Sequence, residues 1–237
     1  MTKIIFLSAF AIAFGLLTYS TAFGQKAEVE KRMLEYGIPS DFFVDNLKDE
    51  NAKYSFSIRK TTETTGQETK VEEGIFDPSK SEGEKWKLLS VNGKAPTKKQ
   101  IKQFYKEHNT SEDSGAGEPE DDDWRIVEDN DTQLVIEFKY REENLPHKYK
   151  FLAQCKGKVF IDKEKKRLDK VDFYNTGTVK IKMFNVDKLD MTMYYKPDEE
   201  SKTYLLDKET MMFDTHVLGQ PVEVKTVSEF YDYQEVK

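Results

Sequence analysis

The clearest pattern in the chain runs from Thr178 to Tyr195, T-V-K-I-K-M-F-N-V-D-K-L-D-M-T-M-Y-Y, where apolar and polar residues alternate on both sides of a polar interruption. A period of two broken in this way predicts a β-hairpin. A three-residue loop of Asn185, Val186 and Asp187, closed by Phe184 and Lys188, sets Met183 opposite Leu189, Ile181 opposite Met191 and Val179 opposite Met193. The other face then pairs Lys182 with Asp190 and Lys180 with Thr192. A slip of one residue would place Met183 against Asp190 and Lys182 against Met191, spoiling both faces, so parity selects the first register.

The same alternation recurs through most of the chain. Tyr54, Phe56 and Ile58 alternate with polar residues, and a turn at Thr65-Gly66 returns a second strand through Val71 to Phe76. A third strand over Trp86 to Val91 ends at Asn92-Gly93, a strong turn dipeptide. Further strands are predicted around Trp124 and Ile126, Leu134 to Tyr140, Tyr149 and Phe151, Val159 and Ile161, and Leu168 to Phe173. After the hairpin come Tyr204 and Leu206, Met211 and Phe213, Val222 and Val224, and a last run from Val227 to Val236. Two segments carry helical spacing instead. Val29, Met33 and Tyr36 mark a short helix stopped by Gly37 and Pro39. Thr97 and Gln100 form a capping box, and Ile101, Phe104, Tyr105 and His108 fall at i, i+3, i+4 and i+7, so this helix has an apolar face to lay across the sheet begun by Tyr54 to Val91.

Ten or eleven strands joined by short turns, with little helix between them, define a mainly β (α+β) antiparallel meander. The segment 110–123 interrupts it with seven acidic residues, Glu112, Asp113, Glu118, Glu120, Asp121, Asp122 and Asp123, and no base. Such a stretch buries too little to order itself and reads as a flexible acidic loop. Residues 25–237 are expected to form a single β domain around it.

The first residues change the picture of where this domain works. Lys3, the apolar run from Ile4 through Leu17, and small residues up to Ala22-Phe23-Gly24 read as a secretory signal peptide over residues 1–24, with the mature start at Gln25. The expected location is therefore the periplasm or the medium, with no membrane span left after cleavage. Loss of Lys3 takes the formal charge from -7 to -8, which makes nucleic acid an unfavourable partner. The single cysteine, Cys155, rules out a disulfide within one chain.

Catalytic signals are poor. His108, His147 and His216 lie far apart with no ligand-spaced neighbours, and no metalloprotease, nucleophile-elbow, phosphate-loop or dinucleotide motif occurs. No cofactor, metal site or catalytic residue is assigned. What stands out is soft apolar surface: Met183, Met191, Met193, Met211 and Met212 gather in about thirty residues, and methionine is over-used where a surface accepts variable apolar partners. With Ile181, Leu189 and Phe213 on the sheet, and Ile101 and Phe104 on the capped helix, they form either an ordinary core or the lining of a cavity for a lipid or acyl chain.

A signal peptide, a short N-terminal helix, a long antiparallel meander, W-K-L-L-S-V-N-G-K-A-P-T at Trp86 to Thr97 leading into a helix, and V-S-E-F-Y-D-Y at Val227 to Tyr233 together resemble the LolA-like and LppX-like lipoprotein-carrier superfamily, nearest its uncharacterised exported members. The resemblance implies a strongly curved half-barrel with covering helices, and binding of an apolar ligand in its concave face without catalysis. Envelope proteins are the other expected partners, and a scaffold whose sheet interior is filled by its own side chains is the alternative reading.

Overall fold

A computed structural model describes residues 26–37, 53–81, 83–108, 123–145, 147–181, 184–198 and 203–236. The signal segment and nearly all of the acidic loop lie outside the described residues, as do Lys182 and Met183. The elements in chain order are α1 (residues 26–35), then β1 (Tyr54–Thr64), β2 (Lys70–Phe76), β3 (Trp86–Val91), α2 (Lys98–His108), β4 (Arg125–Asp129) and β5 (Gln133–Phe138). Two 3₁₀ segments, Glu142–Asn144 and His147–Gln154, precede β6 (Cys155–Asp162), β7 (Arg167–Asn175), β8 (Val179–Ile181), β9 (Phe184–Asp198), β10 (Thr203–Val217) and β11 (Gln220–Glu235).

The eleven strands among the described residues join one sheet in the order β3-β2-β1-β11-β10-β9-β7-β6-β5-β4, with β8 paired to β9 off this path. Among the described residues every pairing is antiparallel and the sheet does not close, which is the mainly β half-barrel meander expected from the sequence. Strands from both sides of the acidic segment share it, because β11 returns beside β1. Both outermost strands are bulged. Leu89 on β3 and Val127 on β4 are the extra, unpaired residues of those bulges, and a bulge at an edge twists it away from pairing with another chain.

Local sequence explains most elements. Gln100 Oε1 accepts the Thr97 backbone N–H at 2.8 Å and Thr97 Oγ1 accepts that of Gln100 at 3.4 Å, so the capping box starts α2 as read. Asn92 and Gly93, with φ of 49° and 70°, make the two-residue turn after β3. Val29 and Met33 bury one face of α1.

Two expectations are corrected. Tyr149 and Phe151 are not in a strand but in the 3₁₀ segment, which turns to bury Leu152. The hairpin also has a different register: Val179 pairs with Val186, Lys180 with Asn185 and Ile181 with Phe184. Met191 and Met193 lie instead against Phe173 and Val171 of the longer β7. The parity argument failed because a bulge between β9 and β10 leaves Asp187 unpaired, so Val186 and Leu189 both face the core although they are three residues apart. Asn175 fixes the spot, since its Oδ1 accepts the Leu189 N–H at 2.8 Å and its Nδ2 donates to the Asp187 carbonyl at 3.0 Å.

Candidate functional site

Paired residues of antiparallel strands share a face, so the registers place distant residues in single rows across the sheet. One row reads Ile136, Val159, Val171, Met193, Glu209, Ser228, Lys60, Glu72, Val91. The next reads Phe138, Gly157, Phe173, Met191, Met211, Thr226, Thr62, Lys70. Both are apolar over β5 to β9 and polar over β11 to β2. The inner face is therefore not one greasy wall.

Two apolar clusters occupy its two sides. The larger takes Leu134, Ile136, Val159, Val171, Leu189, Met191 and Met193 from the sheet, and it is covered by Val29 and Met33 of α1 and by Leu145 and Leu152. The smaller is Leu88, Val91 and Phe104, flanked by Trp86, Ile101 and Tyr105. Here α2 lies close: a Cβ at Gly74 would meet Phe104 Cζ at 3.0 Å and the side chain of Ile58 at 3.4 Å. Between the clusters lies a lane over β10, β11 and β1, where Met211, Phe213, Val222 and Val224 are half-buried on the inner face. Phe56, packed at 5.8 Å from Phe230 and 5.3 Å from Tyr233, closes one end of the lane with aromatic rings.

The expected site residues thus fall into three groups. Leu189, Met191 and Met193 are buried in the larger cluster; Ile181, Met211 and Phe213 pack partly exposed against its border. Ile101 and Phe104 belong to the other cluster, so the structure does not bring them together with the methionines. Met183 lies outside the described residues. Sequence reading missed the polar block between them, although a signal existed: on the same parity as Phe56 and Ile58, β1 continues as Lys60, Thr62 and Thr64.

Charges under α2 are paired. Lys70 Nζ lies 2.6 Å from buried Glu72, and Lys60 Nζ reaches Glu107 of α2 at 3.7 Å. Burial pushes the Glu107 carboxyl up, but the Gln103 amide and the charges of Lys60, His108 and Lys70 hold it below its ordinary value. His108 is stacked on Phe104 with ring centroids 4.1 Å apart, and burial lowers its pKa. Cys155 is buried, its thiol pushed up to about 12 by desolvation, which disfavours a nucleophilic thiolate at neutral pH. Among the described residues no group of three or more potential metal ligands gathers, and no helix is long and apolar enough to cross a membrane.

The outer face is ionic. Its rows include Phe160, Lys170, Tyr194, Lys208, Glu229, Arg59 and Glu73, in which Lys170 stands 4.2 Å over the Phe160 ring.

The architecture is thus an open antiparallel sheet with helices on one face. No family model and no curated protein matches the sequence. Among solved structures the chain is similar to a LolA superfamily protein from Nitrosomonas europaea, at 12% identity and a TM-score of 0.35, over 88% of this chain and 94% of that one. It is also similar to a chain of the Pseudomonas aeruginosa MucA/MucB complex, at 10% identity and a TM-score of 0.17, over 80% of this chain and 93% of that one. A chain of MucB in complex with MucA(peri) is similar at 11% identity and a TM-score of 0.18, over 78% of this chain and 92% of that one.

Proposed function

We propose that this is an exported, non-enzymatic protein that holds a lipid or acyl chain on the inner face of its sheet, along the lane over β10 and β11. The observation that supports it is the half-exposure of Met211, Phe213 and Val224 between two covered clusters. Leu189, Met191 and Met193 are then the packed wall behind the ligand rather than its lining. An acyl chain would complete the cover that α1 and α2 leave off this strip, adding roughly 0.8 kcal/mol for each methylene buried.

The test is mass spectrometry of organic extracts of the purified native protein, with displacement of a fluorescent fatty-acid analogue. Bound lipid is expected, and Met211→Asp should lower probe affinity at least tenfold while circular dichroism stays unchanged. Extracts free of lipid and a probe that does not bind would overturn the reading. They would favour the alternative, an envelope protein-interaction scaffold, for which the self-packed cluster around Met191 and Phe173 speaks.

A further inference from the structure

Four neighbouring inner-face residues in the middle of the lane form a block of hydrogen-bond donors. Lys60 pairs with Ser228 and Thr62 with Thr226 across β1 and β11. Ser228 and Thr226 are only 4% and 7% exposed, so they form the floor of a trough between the longer side chains of Lys60, Glu209 and Met211. Among the described residues neither hydroxyl has a hydrogen-bond partner. Neither oxygen is among the side-chain polar atoms sealed from solvent without a partner, so both stay open to water and to an incoming acceptor.

The surrounding charges sharpen what that acceptor is. Glu72 is held by Lys70 at 2.6 Å. Glu209 has a partner of its own. Glu107 takes a hydrogen bond from Gln103 Nε2 at 2.8 Å and stands 3.7 Å from Lys60, beyond hydrogen-bond length. The Lys60 ammonium therefore keeps donors to give, and the three hydroxyls beside it can all donate. Toward the β10–β11 turn the floor becomes apolar, through Met211, Phe213 and Val224.

We infer that the lane takes an anionic amphiphile, whose carboxylate or phosphate head seats on Lys60, Thr62, Thr226 and Ser228 and whose alkyl chain runs over Met211 toward Phe213 and Val224. This rests on the acyl-binding reading above and names its ligand class. The head gains charge-assisted hydrogen bonds that the block lacks in the free protein.

Isothermal titration of the full mature protein with dodecanoate, dodecyl phosphate, 1-dodecanol and dodecylamine near the pH of the native compartment tests it. Dodecanoate or dodecyl phosphate should bind at least tenfold more tightly than dodecanol, and the tighter of the two identifies the head. Lys60→Met should abolish that preference while dodecanol still binds, and Ser228→Ala should reduce it in a chain that keeps Lys60. If dodecanol or dodecylamine binds as well as the anions, or Lys60→Met and Ser228→Ala both leave the preference intact, the anionic head is overturned while acyl binding stands. If none of the four binds, the acyl-binding reading itself falls.

Discussion

Gly157 lies directly beneath the ring of Phe138, its partner on β5, so closely that a methyl group at Gly157 would overlap three atoms of that ring. The absence of a side chain is what lets Phe138 lie flat over β6 and meet Phe173 at 5.9 Å and Tyr140 at 5.0 Å, both edge-on. Gly157→Ala is expected to force the ring out of this cluster and to cost about 1–3 kcal/mol, the usual range for overpacking. Urea unfolding measures it. Phe138→Leu in the Gly157→Ala background should recover part of the loss, and a purely additive double mutant would show that the two positions do not interact.

On the opposite face Glu137 is buried among three donors: Tyr174 Oη at 2.7 Å, Lys156 Nζ at 2.9 Å and the Arg125 guanidinium. Burial alone would raise its pKa, but these donors hold it down to about 2, while Tyr174 is pushed up to about 12 by its own burial and by the carboxylate. A depressed carboxyl stabilises the fold fully above its unfolded pKa, and this contribution is lost as pH falls from about 4.5 through about 2. Screening by water at the exposed Arg125 and Lys156 side chains brings its size to about 1–3 kcal/mol. Glu137→Gln should therefore lose stability at pH 7 and show a flatter decline between pH ~5 and ~2 than the parent chain. Parallel urea titrations across that range give the comparison, and equal slopes would rule out Glu137 as the source.

His108 ends α2 wedged against two rings, 4.1 Å from Phe104 and 4.6 Å from Trp86 by centroid. Its Nδ1 lies 2.9 Å from the Phe104 carbonyl, which only accepts, so the neutral ring carries its proton there. Burial is the largest cause of its lowered pKa and Lys60 adds to it, against the Phe104 carbonyl, Glu107 and Glu72. Below an unfolded pKa near 6.5 the unfolded chain takes up the proton more readily, so stability falls as pH drops through that value. His108→Phe keeps the ring contacts and removes the titration. Its melting temperature should change less than that of the parent between pH ~7.5 and ~5.5. Equal changes would mean that the acid sensitivity lies elsewhere.

These three sites differ in how far the sequence announces them. Strand positions were legible because a period of two and turn pairs such as Thr65-Gly66 and Asn92-Gly93 are local signals, and Thr97 with Gln100 was enough to place α2. Partner choice was not local. Nothing near Met191 says that β7 rather than β8 will lie beside it, and the bulge at Asp187 shifts phase inside what reads as one even alternation. The 3₁₀ segment misled for a related reason, since Tyr149 and Phe151 two residues apart satisfy a strand pattern while Leu152 is the residue that becomes buried. The donor block was the least visible feature. Lys60 and Ser228 are 168 residues apart in the chain and meet only because β11 closes back onto β1.

The β10–β11 turn offers a last comparison within the molecule. Leu218 and Gly219 form a two-residue connection closed by Val217 and Gln220, with φ of 52° and 78°. Asn92 and Gly93 make the same kind of turn with φ of 49° and 70°. Left-handed backbone suits asparagine and glycine, whereas for other L residues it costs about 1–2 kcal/mol. Leu218 is 99% exposed, so no packing offsets that cost. Leu218→Asn is therefore expected to stabilise the protein by about 1 kcal/mol, raising the melting temperature by roughly 2–4 °C. The reverse change at the other turn should cost more than this, because Asn92 Oδ1 also accepts the Val71 N–H at 2.7 Å and its Nδ2 donates to the Thr69 carbonyl at 3.3 Å. Calorimetry of Leu218→Asn and Asn92→Leu side by side checks both signs, and a melting temperature for Leu218→Asn at or below that of the parent would show that Leu218 makes a stabilising contact in solution.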